Sequence, residues 1–450
     1  MPKPKAPRRL KVALLTLGCA KNLVDSEHIA SALTSAGVEV TQSLAGADVA
    51  VINTCGFIEP AKAEAIDFIL EVGAQKAKGN LRALVVTGCL SQRYGEELKK
   101  LLPEADAFVG VDPGGTATLV LRMLGRQAEP PLSEATRRSR RLTPKAWSYL
   151  PISRGCDNRC AYCAIPLIRG PLHSRPMAAL VEEARYLVRH GVRELNVIAQ
   201  DTSSYGVDTE GRPLLHTLLE ELCRIKGLAW LRLLYVHPAH VYDELVEVIA
   251  GEEKICPYVD LPLQHISDRI LKRMGRKVSR RQVEQLIAKL RERISGLTLR
   301  TTFMTGFPGE TEAEFEELLQ FVRDVRFDRV GCFAYSTEEG TRAADLPDHV
   351  PQRVREERCG ILMATQQEIA FELAAARVGE RTLVLMEEEE PGEEGLRRAR
   401  SRREAPEVDP VIYVAGDDVP QAGEFAHVRI VGSAGYDCVA EVLPEARGEG

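Results

Sequence analysis

Apolar and polar positions alternate between two periods along the first quarter of the chain. KVALLTLG, ADVAVINT and LRALVVTG are short runs rich in Val, Leu and Ala, and between them DSEHIASALTSAG and EPAKAEAIDFILEVG carry helical spacing. Apolar strands separated by helices predict a parallel sheet covered on both faces. This open α/β unit is expected to span residues 1–125. RQAEPPLSEATRRSRRLTPKAW then breaks the pattern with prolines and a basic run, which predicts a linker over 126–147.

Six further strand-like segments follow: SYLPISRG, ELNVIAQ, WLRLLYVHP, YVDLPLQH, LRTTFMTGF and VGCFAYS, mostly separated by helical sequence. Repeated βα units of this size predict a partial (βα)6 barrel over 148–376, with chemistry at the carboxyl ends of its strands. Helical sequence from Gln352 to about Ala376 completes that unit. The tail, 377–450, carries the short alternating runs TLVLM, VIYVAG, FAHVRIVG and YDCVAEVL between Gly, Pro and Asp, and predicts a small β-barrel of OB type. The fold class is α/β, with that barrel appended.

Composition agrees with several cores: 450 residues at 44% apolar are too many for one. The basic opening MPKPKAPRRL meets only a short apolar run, and no stretch approaches the ~20 apolar residues of a membrane span. Neither a signal peptide nor an anchor is expected, and the expected location is the cytoplasm. Clustered cysteines there are more often metal ligands or catalytic groups than disulfides.

The net charge of −6 is unevenly placed. From Arg377 to Gly450 nine basic residues face seventeen acidic ones, a balance of −8, which leaves +2 for the rest. An RNA-binding appendage should be basic, because neutralising phosphates supplies most of its affinity. An acidic tail instead favours a basic protein as partner. EEEEPGEEG at 387–395 also reads simply as a solvated loop. LRRARSRR at 396–403 follows it and predicts a local basic face able to touch nearby RNA.

Chemistry enters with the cysteines. RGCDNRCAYCAIP, residues 154–166, sets Cys156, Cys160 and Cys163 in a C-x3-C-x2-C pattern just after the first barrel strand. Structural zinc and ordinary iron–sulfur clusters take four thiolates. A cubane held by three leaves one iron open, and S-adenosylmethionine chelated there could be cleaved to a carbon radical. A zinc site completed by a distant residue, or unpaired buried cysteines, are the alternatives. A second set shows only once the strands are placed: Cys19, Cys55 and Cys89 each follow a predicted parallel strand, and such strand ends share one ligand-binding edge. Three thiolates there could hold a second open cluster, or the cysteines could simply fill packing space. Cys223, Cys256, Cys332, Cys359 and Cys438 show no ligand spacing. The chain has no Gly-rich phosphate loop and no credible Ser-His-Asp arrangement, which excludes nucleotide hydrolysis and simple esterase chemistry.

With six cysteines placed, the chain resembles a methylthiotransferase of the radical S-adenosylmethionine superfamily over essentially its whole length. The resemblance implies an amino-terminal methylthiotransferase domain, a radical barrel and a carboxyl-terminal TRAM domain. It implies two 4Fe–4S clusters, one on Cys156, Cys160 and Cys163 and an auxiliary one on Cys19, Cys55 and Cys89. Tyr162 stands at the aromatic position before the last cysteine of the signature. LGCAKNLVDSE at 17–27, AQDTSSYG at 199–206 and LPLQHISDRILKRMGR at 261–276 are similar to the branch that modifies an aspartate of ribosomal protein uS12. The transfer-RNA branch tends to carry Gln-x-Asn after its first cysteine, and Gln-Ser-Gly in place of Gln264-His265-Ile266.

The implied reaction adds a methylthio group to the aspartate β-carbon. One S-adenosylmethionine methylates sulfur at the auxiliary cluster, and another yields the radical that removes the β-hydrogen. Implied partners are uS12 within the small ribosomal subunit, an external electron donor and a sulfur source, with the chain acting as a monomer and no membrane involved. For the cofactor, MTGFPGET at 304–311 resembles the superfamily's contact to the adenosine and nominates Gly306, Pro308 and Glu310, although GFPGE is also a good turn and helix start. Phe333 and Tyr335 are candidates beside the adenine, or else core side chains. Gln200 and Asp201, closing the second barrel strand, are candidates for the cofactor's amino-acid end or the substrate, or caps of the next helix. His237 and His265 read as satisfied structural groups. Competing readings are a transfer-RNA adenosine methylthiotransferase, a non-catalytic iron–sulfur protein and a zinc-binding RNA module.

Overall fold

The computed structural model describes residues 10–126, 138–389, 396–416 and 419–444. Lys11–Thr16 (β1), Glu39–Thr41 (β2), Val49–Thr54 (β3), Ala83–Gly88 (β4) and Ala107–Phe108 (β5) form a wholly parallel sheet in the order β2-β1-β3-β4-β5. Every residue of β3 and β4 is buried, as strands covered on both faces require. Ala20–Ser35 (α1) and Pro113–Met123 (α4) cover one face through Ile29, Leu33, Val120 and Leu121. Glu59–Ala77 (α2) and Cys89–Leu101 (α3) cover the other through Ile69, Val72 and Leu98.

The second unit is an open six-stranded parallel sheet. Trp147–Pro151 (β6) is followed by a two-residue antiparallel ribbon, Ser153–Arg154 (β7) with His173–Ser174 (β8). Glu194–Ile198 (β9), Trp230–Leu233 (β10), Ile255–Asp260 (β11), Thr298–Thr305 (β12) and Arg329–Ala334 (β13) complete the order β6-β9-β10-β11-β12-β13. Successive side chains point to opposite faces of a strand. One set, including Leu195, Val197, Leu231, Leu233 and Phe303, packs under the helices. The opposite set mixes polar side chains, Tyr149, Glu194, Arg232, Tyr258, Arg300 and Arg329, with the apolar Trp147, Ile198 and Trp230.

That concave face is filled by the third unit, whose Leu385, Ala405 and Phe425 pack on its tryptophans. Arg381–Glu389 (β14), Leu396–Arg400 (β15), Ile412–Ala415 (β16), Phe425–Ala434 (β17) and Asp437–Val442 (β18) close into a small barrel. The loop between β15 and β16 enters the central unit. Tyr149 Oη donates to Glu407 and Tyr258 Oη to Asp409, each at 2.7 Å, while Arg232 donates to the carbonyls of Ser401 and Arg402.

This arrangement corrects the reading of LRRARSRR as an exposed basic face. None of its arginines is exposed. Arg400 is buried between Glu194 and Glu387, Arg402 donates to the carbonyls of Glu253 and Ile255, and Arg403 pairs with Asp328. A run of like charges reads as solvated only while the acids that neutralise it stay hidden elsewhere in the chain. The preceding acidic stretch lies outside the described residues from 390 to 395. Most of the expected linker, 127–137, lies outside them as well. Its described end is anchored: Arg138 is fully buried, donating to Glu27 of α1 at 2.5 Å and to Glu183 of the central unit at 2.7 Å. Among the described residues, no helix is long and apolar enough to cross a membrane.

Candidate functional site: two cysteine triplets at one interdomain face

The loop carrying Cys156, Cys160 and Cys163 leaves β7 and returns to β8, so the ribbon closes its base. Gly155 enters it at φ +72° with its backbone pressed on the Pro171 carbonyl, where an added Cβ would lie 1.8 Å from the oxygen. Backbone bonds from Cys156 to Gly170 (3.2 Å), Cys163 to Cys160 (3.2 Å) and Ala161 to Met274 (2.7 Å) hold the turns between the cysteines. Arg276 reaches in with Nη1 3.8 Å from Cys160 Sγ. Burial pushes the Cys156 thiol up to about 11 and Cys163 up to about 12, so a bound cation is what would draw them out as thiolates. The loop offers three thiols from adjacent turns, with no fourth cysteine in its sequence. This donor set fits a cluster with one iron left free.

Cys19, Cys55 and Cys89 stand just beyond β1, β3 and β4 at the carboxyl edge of the amino-terminal sheet. Gly18, at φ +94°, lets the turn before Cys19 pass directly over Cys55; a Cβ there would lie 2.8 Å from Cys55 Cβ and 3.4 Å from its sulfur. The fully buried Asn22 ties the three strand ends together. Its Nδ2 donates to the Leu17 and Thr54 carbonyls, both at 3.0 Å, and its Oδ1 lies 3.5 Å from Cys89 Sγ. Burial pushes Cys89 up to about 11, although Arg169 opposes the shift, and burial raises Cys55 too.

Arg169 joins the two triplets. It ends the short helix Ile165–Arg169, which starts two residues after Cys163. Its Nη2 lies 2.9 Å from Asn22 Oδ1, 2.8 Å from Asp25 and 3.7 Å from Cys89 Sγ. The helix that follows the cysteine loop thus packs against the edge that carries Cys89, across the domain boundary.

Comparison with known proteins agrees with this geometry. The Radical SAM superfamily profile matches residues 150–322, Uncharacterized protein family UPF0004 matches 11–110, and the TRAM domain matches 378–443. The chain is 44% identical over 442 residues to the ribosomal protein uS12 methylthiotransferase RimO of Geotalea uraniireducens, covering 96% of this chain and 98% of that one. It is 46% identical over 443 residues to the RimO of Heliobacterium modesticaldum, covering 97% and 96%. The chain belongs to the RimO family of ribosomal protein uS12 methylthiotransferases. Membership makes it a radical SAM enzyme and implies S-adenosylmethionine and a 4Fe–4S cluster. Among solved structures, the radical S-adenosylmethionine methyltransferase TsrM of Kitasatospora setae shares the fold, with a TM-score of 0.56 at 15% identity over 86% of this chain and 82% of that one.

The other nominated residues fall into different settings around this RimO-family site. Asp201 caps the short 3-10 helix Thr202–Ser204, accepting from the Ser203 N–H. Its carboxylate also accepts from the Ser203 and Ser204 hydroxyls, from Asn158 inside the cysteine loop (2.8 Å) and from His240 Nδ1 (2.8 Å). Asp201, His237 and His240 offer ligand atoms within 4.8 Å of one another, but five donors already occupy the carboxylate, making it a hydrogen-bond hub. Gln200 lines a cavity of about 260 Å³ between α1 and the ends of β6 and β9, and its buried Oε1 has no partner among the described residues.

Tyr162 packs with Phe307, Met274 and Tyr335 beneath the cysteine loop. GFPGE folds as the turn and helix start its sequence allows. Glu310 is buried, its Oε2 accepting the Gly306 N–H at 2.8 Å and its Oε1 pairing with Arg358 at 2.7 Å. Thr311 then caps the following helix in a capping box with Glu314. The Pro308 carbonyl accepts from Arg273. Phe333 shares its strand face with Arg329, the concave one, and is 54% exposed there. His237 and His265 each accept a backbone N–H two residues on, as structural histidines. Cys332 of β13 lies against Cys359 of the helix Gln352–Ala375, a proximity that 26 intervening residues conceal.

Sequence reasoning passed over Asn22, Lys21, Asn158, Arg169, Arg276 and Tyr235. Lys21, Asn22, Asn158 and Arg276 stand inside quoted motifs and Arg169 just beyond one, but nothing in their spacing assigns a role. Tyr235 signals itself only in the fold, where its backbone is held at φ +60°.

Proposed function

We infer that this chain adds a methylthio group to the β-carbon of an aspartate in ribosomal protein uS12, using S-adenosylmethionine, one 4Fe–4S cluster on Cys156, Cys160 and Cys163, and a second on Cys19, Cys55 and Cys89. The observation that carries this reading is the meeting of the two triplets through Arg169, 3.7 Å from Cys89 on the helix that leaves the other cysteine loop. A single-cluster electron carrier has no use for a second triplet beside the first. When bound, the clusters and S-adenosylmethionine supply one-electron and sulfur-transfer chemistry that acid–base side chains lack. Electrons and sulfur come from outside the chain, and the substrate sits in the small ribosomal subunit, which places the reaction in the cytoplasm. We take 1–125, 148–376 and 377–450 as the working units, joined by 126–147, in a monomer.

The chain's own residues hold and orient. The six thiols ligate. Asn158 and His240, through Asp201, fix the cysteine loop against the ends of β9 and β10. Tyr162 and Phe333 give apolar surface to the cofactor, and Gly306 and Pro308 meet it through the main chain. Glu310 acts through another group, keeping the Gly306 turn closed. Gln200 directs an amide into the interdomain cavity.

The test is one anaerobic reaction in which the reconstituted, reduced protein receives S-adenosylmethionine, sulfide, small ribosomal subunits and unmodified transfer RNA together. Mass spectrometry should find a methylthio group on an aspartate of uS12 and none on RNA. Label on adenosine would overturn the substrate assignment while keeping the chemistry.

A further inference from the structure

Lys21 sits two residues past Cys19 at the start of α1, half-buried, lining the cavity between the amino-terminal and central units. Its ammonium lies 3.0 Å from the centroid of the Tyr235 ring, beyond the end of β10. Cys19, Arg169 and Asp260 are close enough to act on its charge. Lys21 thus reaches from the edge of one cysteine triplet to the carboxyl ends of the strands that carry the other.

No acid claims it. Among the described residues Lys21 Nζ makes no hydrogen bond and no ion pair, whereas the cations around it are committed. Arg169 pairs with Asp25 at 2.8 Å, Arg300 with Asp260 at 3.1 Å, and Arg276 donates to the Pro262 carbonyl. Asp260 is shared between Arg300 and the Tyr235 N–H (3.0 Å) and makes no hydrogen bond or ion pair with Lys21. A half-buried ammonium normally finds a carboxylate. Here the only partner is the face of an aromatic ring, which attracts a cation without competing for its N–H donors. Gln200, with its unpartnered Oε1, lines the same cavity and offers an acceptor for a peptide N–H.

We propose that Lys21 is the residue that selects aspartate: its ammonium binds the γ-carboxylate of the substrate side chain and so places the β-carbon between the two cysteine triplets. The assignment rests on the proposed function above. The γ-carboxylate is bonded directly to the reacting carbon, so a cation that fixes the one fixes the other within a single bond length. An adenine ring has no anion so placed. The ring of Tyr235, held by its strained backbone, keeps the ammonium in position before the substrate arrives.

The test compares wild type, K21M and K21R at equal iron content, each with S-adenosylmethionine and purified uS12 carrying either the native aspartate or asparagine at the modified position. Dissociation constants are read by fluorescence anisotropy, with KM and kcat for the native form. Wild type should prefer aspartate to asparagine by about 10- to 100-fold, the range expected of a hydrogen bond to a charged group. K21M should bind the two forms equally, and K21R should recover the preference. A K21M protein that keeps the wild-type preference overturns the assignment. So does one that loses affinity for S-adenosylmethionine by the same factor while still preferring aspartate, since Lys21 would then hold the cofactor's carboxylate. A wild type that modifies uS12 neither free nor within small ribosomal subunits overturns the proposed function, and this assignment with it.

Discussion

Arg400 Nη2 lies 2.8 Å from Glu194 Oε2, with both side chains essentially out of water, and this contact joins β15 of the small barrel to β9 of the central sheet. Arg232 donates to the other Glu194 oxygen at 2.9 Å, and Glu387 takes the Arg400 Nε at 2.6 Å. Removing one member of a buried pair leaves an uncompensated charge, which costs about 3–5 kcal/mol. R400M is therefore expected to lose that much in urea denaturation. A double-mutant cycle with E194Q should show a coupling energy well above zero, and additive single effects would mean the pair carries no net interaction.

Acid should loosen the same interface. Burial opposes the charge of Glu404, yet Arg377 and Arg329 outweigh it and hold the carboxyl down at about 2. Glu183 is likewise held at about 2 against its own burial by Arg138 and Arg175, between the amino-terminal and central units. Both folded values lie below the ~4.3 of an unfolded glutamate, so the stabilisation is complete above about pH 4.5 and is lost as pH falls toward about 2. Thermal melts across that window should show a steep acid limb. E404Q should start lower at neutral pH and fall less steeply, and an unchanged acid slope would assign the loss to other groups.

The two triplets should be separable by metal content. C55S is expected to keep about half the iron and still cleave S-adenosylmethionine when reduced, without forming methylthio product. C160S should keep the other half and lose cleavage. Loss of nearly all the iron in each variant would point to a single shared cluster.

Strand periodicity and cysteine position made the three units and both triplets legible before any coordinates. The strands ending at Thr16, Thr54 and Gly88 announce themselves by unbroken apolar runs, and the cysteines behind them by common register. The arginines of β15 stayed illegible because their partners are Glu194 and Glu387, one of them more than 200 residues away in sequence. The surroundings of Glu310 were hidden for a related reason. Its neighbours suggested a cofactor contact, whereas Arg358, arriving on a later helix, turns its carboxylate inward. Lys21 and Asn22 were printed inside the most telling motif of the chain, yet a lysine and an asparagine on a helix carry no signal until the opposite wall is known.

Gly155 and Gly170 allow the geometry of the cysteine loop to be tested without touching a ligand. Both have φ +72°, where L side chains rarely sit, and Gly170 with ψ −162° occupies a region that is essentially glycine's alone, so alanine there costs about 1–3 kcal/mol. Their surroundings differ. A Cβ on Gly170 meets nothing within 4 Å, while one on Gly155 would lie 1.8 Å from the Pro171 oxygen and 2.6 Å from the Gly170 oxygen. Those atoms are backbone, held by the ribbon pairs Ser153 with Ser174 and Arg154 with His173, so no side-chain rotation relieves the clash. The ribbon must open, and Cys156, the next residue, moves with it. G170A is therefore expected to melt slightly earlier with its iron intact, whereas G155A should lose the barrel half of the iron and keep the amino-terminal half. If G155A holds as much iron as G170A, the loop tolerates displacement of its base, and closure by the ribbon is not what sets the spacing of the three thiols.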